Sequence, residues 1–401
     1  MGPEQEQKVG RNKDFFILLI SVFFIYTYNN VFMMATPLLL MNMGSTEMIV
    51  GLQATLFLVT AIFLRFLFGP LTDVYGQRLA MLLGSAAFLI AAVLLFYAVE
   101  IWQVVALRLV QAIGLASYFP AATATASICA GSDQKGKYIG ILRMVASLTL
   151  MVGPVLGLFL IRNYSYALFL QSMAIIAFLG MAIIFFITIK THELKEIEGK
   201  KTKVVSRQNF GFLKLLQKGF FIIISTFIAA MSFGILLSFV TLYIDGYTKI
   251  VNAGFFFTLF SLGGIFANGV FGWSSDLFGR LRLTIYAFIS LGVGIILIAF
   301  LPQITALFYP AGFLAGAGYY GSITVLMAWM TEKSESQERT SALSLQQNAL
   351  DFGIAAGSGI FGVLLVVTNS PNLLYGVLGA FYVGYAILVF LIATRKGLAR
   401  V

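Results

Sequence analysis

Charge is scarce in this chain. Charged residues fill 10% of its 401 positions while apolar residues fill 60%, against about 25% and 45–50% in soluble domains. So few charges cannot coat the water-facing surface of a protein this size. A soluble enzyme, a nucleic-acid-binding domain and a disordered tail are therefore poor fits. Cysteine occurs once, as Cys129, which excludes an intramolecular disulfide and any multi-cysteine metal site. Histidine also occurs once, as His192 in a charged stretch, so no histidine relay operates within an apolar segment; a solvated loop residue is its simplest reading. Nucleophile–base pairs, metal-ligand clusters and nucleotide loops are missing. Neither enzymatic chemistry nor a cofactor or metal is expected.

What the chain does have is long apolar runs. A helix needs about 20 apolar residues to cross about 30 Å of hydrocarbon. Twelve such spans are expected, near 15–40, 47–69, 79–99, 101–128, 139–161, 166–189, 219–243, 253–271, 283–301, 306–330, 341–368 and 373–394. A transmembrane β-barrel would show strands of about 10 residues with alternating polarity; these runs are twice that and apolar on every face. The first run follows a polar stretch and is too long for the core of a cleavable signal, so it reads as a span.

The excess of ten positive charges is a matter of placement. With an up-and-down path, Lys8, Arg11 and Lys13, the eight Lys and Arg of 190–218, and Arg395, Lys396 and Arg400 share one side. The opposite loops carry only Arg162 and Lys249. The positive-inside rule makes the crowded side cytoplasmic, with both termini there. The basic excess then reports topology, with attraction to anionic lipid as a by-product, and nucleic acid is not an expected partner.

The one long hydrophilic stretch, 190–218, divides the chain into a six-helix bundle over 1–189, a linker, and a second six-helix bundle over 219–401. The halves share a motif. Gly69-Pro-Leu-Thr-Asp73-Val-Tyr-Gly76-Gln-Arg78 follows the second span and Gly272-Trp-Ser-Ser-Asp276-Leu-Phe-Gly279 follows the eighth, with Gly, Asp and Gly each displaced by 203 residues. A registered pair at equivalent places in two halves indicates a parallel repeat. Trp102, Trp273 and Trp329 fall near span ends, where an amphipathic ring prefers the headgroup region.

Gly69–Arg78 resembles the signature loop of the major facilitator superfamily, roughly G-x-L-A-D-R-x-G-R-R, and the resemblance covers essentially the whole chain. Thr72, Val74 and Gln77 depart from the pattern. The resemblance implies an all-α membrane protein of twelve helices in two pseudo-symmetric bundles that rock around a midplane cavity. It also implies a cytoplasmic latch built on Gly69, Asp73, Gly76, Arg78, Gly272, Asp276 and Gly279. Asp73 would face the N-terminus of span 11, at Thr340-Ser341, and Arg78 would meet Asp133. Arg108-Leu-Val-Gln111-Ala-Ile-Gly114 is similar to the R-x-x-Q-G-x-G motif of exporters, and Gly153-Pro154-Val-Leu-Gly157 to the core of an antiporter motif. Ala112, Thr149 and Leu158 replace motif glycines. Close helix packing explains Gln111, Gly114, Gly153, Pro154 and Gly157 at least as well as coupling. Arg65-Phe-Leu-Phe-Gly69 and Asp351-Phe-Gly353 resemble bacterial exporters grouped with sugar- and metallophore-efflux proteins.

Ionised side chains inside the bilayer are costly, by about 2.5–3.5 kcal/mol on insertion scales, and usually face a cavity or a partner. Asp351 is the one acid placed deep in a span, about 15 Å from the start of span 11 at 1.5 Å per residue. Three roles stay open for it: proton exchange, a permanent ion pair with an arginine, and substrate contact. Arg108 is expected to couple or line the cavity. Arg65 reads as paired or snorkelling as readily as cavity-lining. Asn29, Asn30 and Met33 in span 1, Tyr118, Tyr319 and Tyr320 in spans 4 and 10, and Gln347 complete the expected cavity set, with interhelical bonding as the competing role for each tyrosine. The sum is a monomeric multi-pass transporter of the bacterial cytoplasmic membrane. It would exchange a small organic solute for protons outward, with an anionic metabolite or metallophore, or uptake by symport, as variants. A non-transporting receptor is the competing class.

Overall fold

The computed structural model describes residues 3–130, 135–188, 208–334 and 339–395, with the backbone alone for a few of them, residues 73, 272 and 276 included. Among the described residues every regular element is helical: α1 Pro3–Asn42, α2 Glu47–Tyr75, α3 Gln77–Leu95, α4 Ile101–Ala130, α5 Lys135–Asn163, α6 Tyr166–Ile184, α7 Gln208–Ile235, α8 Phe255–Phe278, α9 Arg280–Ala299, α10 Phe308–Lys333, α11 Arg339–Thr368 and α12 Pro371–Arg395. A π-helical turn at Leu236–Val240 carries α7 on into a short helix, Thr241–Tyr247. In hydrocarbon each backbone N–H and C=O must be paired internally, and a helix achieves this within one segment. Eleven of the helices are long and apolar enough to cross a membrane, and α8 adds a shorter apolar stretch at Phe255–Phe271. The chain is a multi-pass membrane protein.

Several helices run beyond the expected spans, as α2 does to Tyr75 and α8 to Phe278, whereas two stop well short. The third and sixth spans were expected to reach residues 99 and 189, but α3 stops at Leu95 and α6 at Ile184. Tighter bonds close both helices, with Phe96 N on Val93 O at 3.2 Å and Phe185 N on Ala182 O at 3.2 Å. Hydropathy continues beyond each end because apolar residues extend into the interface: Val99 is 78% and Phe186 68% exposed. Residues 190–207 of the expected linker, and Asp133, lie outside the described residues, whereas 208–218 already form the first turns of α7.

The chain forms two compact units, residues 1–35 with 56–206 and residues 36–55 with 207–401. In the first unit, small residues set helix spacing. A Cβ on Gly114 would stand 2.5 Å from the Phe88 ring, and one on Gly157 2.7 Å from Val31. In the second unit, α11 lies against α7 so closely that a Cβ on Gly353 would collide with the Phe227 carbonyl, and one on Gly357 with that of Met231. Residues 36–55 join this unit through α11. Thr55 Oγ1 donates to the Ala355 carbonyl at 2.7 Å, and a Cβ on Gly51 would meet the Ser358 carbonyl. Small-residue faces of this kind let membrane helices approach backbone to backbone.

The duplicated motif is not a loop in either copy. Helix α2 runs to Tyr75 and α3 begins at Gln77; α8 runs to Phe278 and α9 begins at Arg280. The whole connection is one glycine, Gly76 with φ 91° and Gly279 with φ 85°. An L side chain adopts that backbone only with strain, which accounts for glycine at both. Gly69, by contrast, lies inside α2, and none of the described residues comes within 4 Å of where its Cβ would be.

Candidate functional site

The first unit buries a polar chain built on Arg108, which is 2% exposed. Helix α4 brings Arg108 and Gln111 to one face by their i, i+3 spacing. Arg108 Nη1 donates to Gln111 Oε1 at 2.5 Å, which fixes the amide orientation. Gln111 Nε2 then donates to the Tyr28 hydroxyl at 2.7 Å. From α1, Met33 offers its sulfur to Arg108 Nη2 at 3.2 Å, and from α2 the Phe57 ring lies 3.9 Å from the guanidinium carbon. Attraction of a guanidinium to the quadrupole of an aromatic face offsets part of its desolvation cost. Tyr28 and Phe57 were not singled out from sequence, since neither carries charge and only the fold brings them to Arg108.

Gln111 is therefore the hinge of this chain. Gln111→Leu removes the acceptor of Arg108 Nη1 and the donor to the Tyr28 hydroxyl, at about 0.5–1.5 kcal/mol for a neutral internal bond and about 1.5–3 kcal/mol for one to a charged group. Thermal unfolding of the purified variant is expected to show the loss as a melting temperature several degrees lower, and an unchanged one would contradict these bonds.

Asn29 and Asn30 follow on α1. Asn30 Nδ2 donates to Thr149 Oγ1 of α5 at 2.9 Å. Thr149, which replaces a motif glycine, thus supplies the partner that a glycine would lack. Gly153 and Gly157 lie on the same helix and face Val31 of α1, with the buried Pro154 between them. Asn29 Oδ1 is buried and accepts no hydrogen bond from the described residues. Buried acceptors of this kind are rare, and each calls for an explanation.

Tyr118 makes an interhelical bond, the competing role stated for it: it is 0% exposed, and its hydroxyl meets Ser21 Oγ at 2.7 Å. Ser21 gives its only proton to the Gly180 carbonyl at 2.8 Å, so Tyr118 is the donor. The bond ties α4 to α1 and α6. Tyr118→Phe is expected to cost about 0.5–1.5 kcal/mol of stability, as a lost internal bond does, and to leave transport unchanged; altered substrate selectivity in a transport assay would oppose this.

The second unit holds Asp351, 6% exposed, near the middle of α11. One turn earlier Gln347 Nε2 donates to Asp351 Oδ1 at 3.2 Å. Gln346 on the adjoining face gives its Nε2 to Thr226 Oγ1 of α7 at 3.1 Å, while its buried Oε1 has no hydrogen-bond partner among the described residues. Tyr319 of α10 is stacked on Phe233 at 4.6 Å, and Tyr320 lies edge-on to it at 5.1 Å. Both rings belong to an aromatic cluster with Phe260. At the π turn, Ser238 Oγ donates to Ser358 Oγ at 3.0 Å, and Ser358 to the Gly234 carbonyl at 2.9 Å. Hydropathy carried no sign of this turn.

The remaining expected residues are spread along the chain. Arg65 is half-buried on α2, and Arg143 is exposed on α5. Arg78 Nη2 donates to the Phe185 carbonyl at the end of α6 at 2.8 Å, where a cation suits the helix C-terminus. The side chains of Asp73, Gly272 and Asp276, and those of Thr340 and Ser341, lie outside the described residues. Among the described residues no cluster of His, Cys, Asp and Glu could hold a metal.

Comparison with known proteins bears on these arrangements. The family model of the Major Facilitator Superfamily matches residues 18–250 and 222–400. The chain is 25% identical over 371 residues to the multi-drug resistance efflux pump PmrA homolog of Lactococcus lactis, covering 89% of this chain and 90% of that protein. It is 27% identical over 205 residues, half of each chain, to the bicyclomycin resistance protein homolog of Haemophilus influenzae. Among solved structures, the D-xylose-proton symporter superposes with a TM-score of 0.75 at 15% identity, over 94% of this chain and 96% of the other.

Proposed function

Since the chain belongs to the major facilitator superfamily, and is thereby a secondary transporter of small molecules rather than an enzyme, we propose that it exports an organic solute in exchange for protons. The observation that carries this reading is the near-full-length likeness to a multi-drug efflux pump. The proton is assigned to Asp351, a carboxylate buried in a spanning helix. Such a group is costly in the membrane and commonly marks an ion or substrate pathway. Gln347, bonded to Asp351 Oδ1, holds the carboxyl in one orientation.

Arg108 assists from the first unit. Its guanidinium is fixed by Gln111, Met33 and Phe57, so it presents a charge of constant position whatever the solute. Within the first unit Arg65 and the Asn29 acceptor, and within the second Tyr319, Tyr320 and the Gln346 acceptor, are assigned to solute contact. The repeated Gly–Asp–Gly motif is assigned to a cytoplasmic latch, with both termini on that side by the charge bias. The site is that of a bacterial cytoplasmic membrane protein acting as a monomer.

Proteoliposomes enclosing a pH-sensitive dye test the exchange. Addition of an organic antibiotic that the protein moves is expected to produce a substrate-dependent pH change, with protons leaving the compartment that the solute enters. Solute movement with no accompanying pH change would overturn proton exchange.

A further inference from the structure

A cavity of about 310 Å³ lies in the second unit, well away from Asp351. It sits where α11 and the extension of α7, Thr241–Tyr247, end and where α2 and α12 begin. Its wall on α11 starts at Phe361, ten residues past Asp351, which is about 15 Å along the helix at 1.5 Å per residue. With the termini cytoplasmic, as the charge bias has it, this is the outer end of the unit. Pockets for small organic ligands begin at about 300 Å³, so the space suits a compact one.

Five rings line the cavity in unbroken contact. Tyr247 stacks on Tyr243 with centres 5.5 Å apart, and Tyr243 lies 4.9 Å from Tyr375. Tyr375 lies 5.1 Å from Phe361, and Phe361 5.4 Å from Phe239. The hydroxyls differ in how they are satisfied. Tyr243 gives its proton to the Ala299 carbonyl at 3.3 Å. Tyr375 is 0% exposed, and its buried hydroxyl has no hydrogen-bond partner among the described residues. An orphan of this kind calls for an explanation, and a polar ligand in the cavity would supply the missing partner.

The charge in the lining is of one sign. Glu47, half-buried at the start of α2, is its one ionisable carboxylate, and among the described residues no Lys, Arg or His lines the cavity. The Glu47 side chain forms no ion pair or hydrogen bond with another described residue. Lys249, two residues past Tyr247, is exposed and does not line the space. Helix ends do not set the sign: two C-termini and two N-termini meet here, and their partial charges oppose one another. The carboxylate therefore decides it. Aromatic faces attract cations and form cages for ammonium ligands, and a carboxylate makes strong charge-assisted contacts with a cation. Rings and acid thus ask for the same partner.

We propose that this cavity is a binding site for a small organic cation, an ammonium group on an apolar body, separate from the solute contacts assigned to Gln346, Tyr319 and Tyr320. The ammonium would lie between the Glu47 carboxylate and the Tyr243–Tyr247 pair, with the apolar body along Tyr375 and Phe361. Ammonium headgroups of lipids share this chemistry, and bilayers that lack them separate the two sources. The site lies within the second unit and involves neither Asp351 nor Arg108, so it stands whether or not proton exchange does.

Gly246 provides a local reporter, since it lines the cavity and none of the described residues comes within 4 Å of where its Cβ would be. Gly246→Cys with Cys129→Ala leaves one thiol in the chain. Its labelling by a polyethylene glycol maleimide would be timed in phosphatidylglycerol nanodiscs. Benzyltrimethylammonium is expected to slow the labelling saturably, and the uncharged benzyl alcohol at equal concentration to leave it unchanged. Glu47→Gln is expected to raise the half-protecting concentration by about ten-fold, as loss of a contact to a charged group does. Tyr247→Leu is expected to raise it by about three-fold, whereas Tyr247→Phe, which keeps the ring face, retains it. Replacing half of the phosphatidylglycerol by phosphatidylethanolamine is expected to change nothing. Equal protection by benzyl alcohol overturns the proposal, as does protection unaltered by Glu47→Gln. Competition from phosphatidylethanolamine means a headgroup site, and a thiol that does not react without ligand means a covered cavity; either result overturns it too. If the Glu47→Gln protein does not fold, the preference for the cation over benzyl alcohol and the contrast between the two Tyr247 variants decide.

Discussion

Asp351→Asn is expected to abolish proton movement driven by solute while leaving the protein folded and able to exchange solute for solute. Asn is nearly isosteric with Asp and still accepts the Gln347 Nε2 bond, now 3.2 Å from Asp351 Oδ1. It carries no titratable proton. A variant that binds solute and catalyses solute counterflow, yet takes no energy from a pH gradient, is the signature of a lost proton site. Two other outcomes would reassign the residue. A fold that collapses on loss of the charge would mark Asp351 as half of a structural ion pair, because breaking such a pair costs about 3–5 kcal/mol. Lost counterflow in a folded protein would mark direct solute contact. Glu at the same position keeps the proton one methylene further out, and partial coupling is expected there. Solute-driven pH change and counterflow, measured on the same proteoliposomes, separate the outcomes.

Gly353→Val is expected to have the largest effect of any substitution outside the charged residues. Gly353 lies two residues from Asp351, on the face of α11 that meets α7. Its Cβ would collide with the Phe227 carbonyl and come within 2.8 Å of Ala230 Cβ. These are backbone and near-backbone atoms, which cannot swing aside as a long side chain would. Overpacking of this kind costs about 1–3 kcal/mol, and more where the backbone must move. Helix α11 would then be pushed off α7, which breaks the Gln346–Thr226 bond of 3.1 Å and displaces the Asp351 carboxyl. The prediction is a sharply lower melting temperature together with lost transport. Gly384→Val is the control, since nothing stands within 4 Å of its Cβ, and it is expected to be nearly silent. Similar melting temperatures for the two valine variants would contradict the packing.

Much of this architecture can be read without coordinates because the membrane imposes it. Length and apolarity alone locate the helices, and the displacement of 203 residues between Gly76 and Gly279 foretells two connections of one shape. Helix ends are harder to read, since apolar residues such as Val99 and Phe186 continue past the last hydrogen-bonded turn. Single charges in apolar spans are also legible: Asp351 and Arg108 stand out because so little else in those helices is ionised. Their neighbours are not legible. Tyr28 and Phe57 become partners of Arg108 only once α1, α2 and α4 pack together. Tyr118 looks like Tyr319 in sequence, yet Ser21 on another helix takes its hydroxyl. A motif position filled by the wrong residue can also gain meaning in the fold, as Thr149 does by receiving Asn30.

Imposed gradients test export powered by protons most directly. Proteoliposomes would be prepared with a transported antibiotic outside, the membrane potential clamped, and the interior made more acidic than the medium. Exchange predicts that the antibiotic accumulates inside above its external concentration as protons leave, and that accumulation stops when the pH difference is collapsed. Accumulation only when the exterior is the acidic side would establish symport, and equilibration regardless of pH would establish uncoupled passage; either would contradict the account.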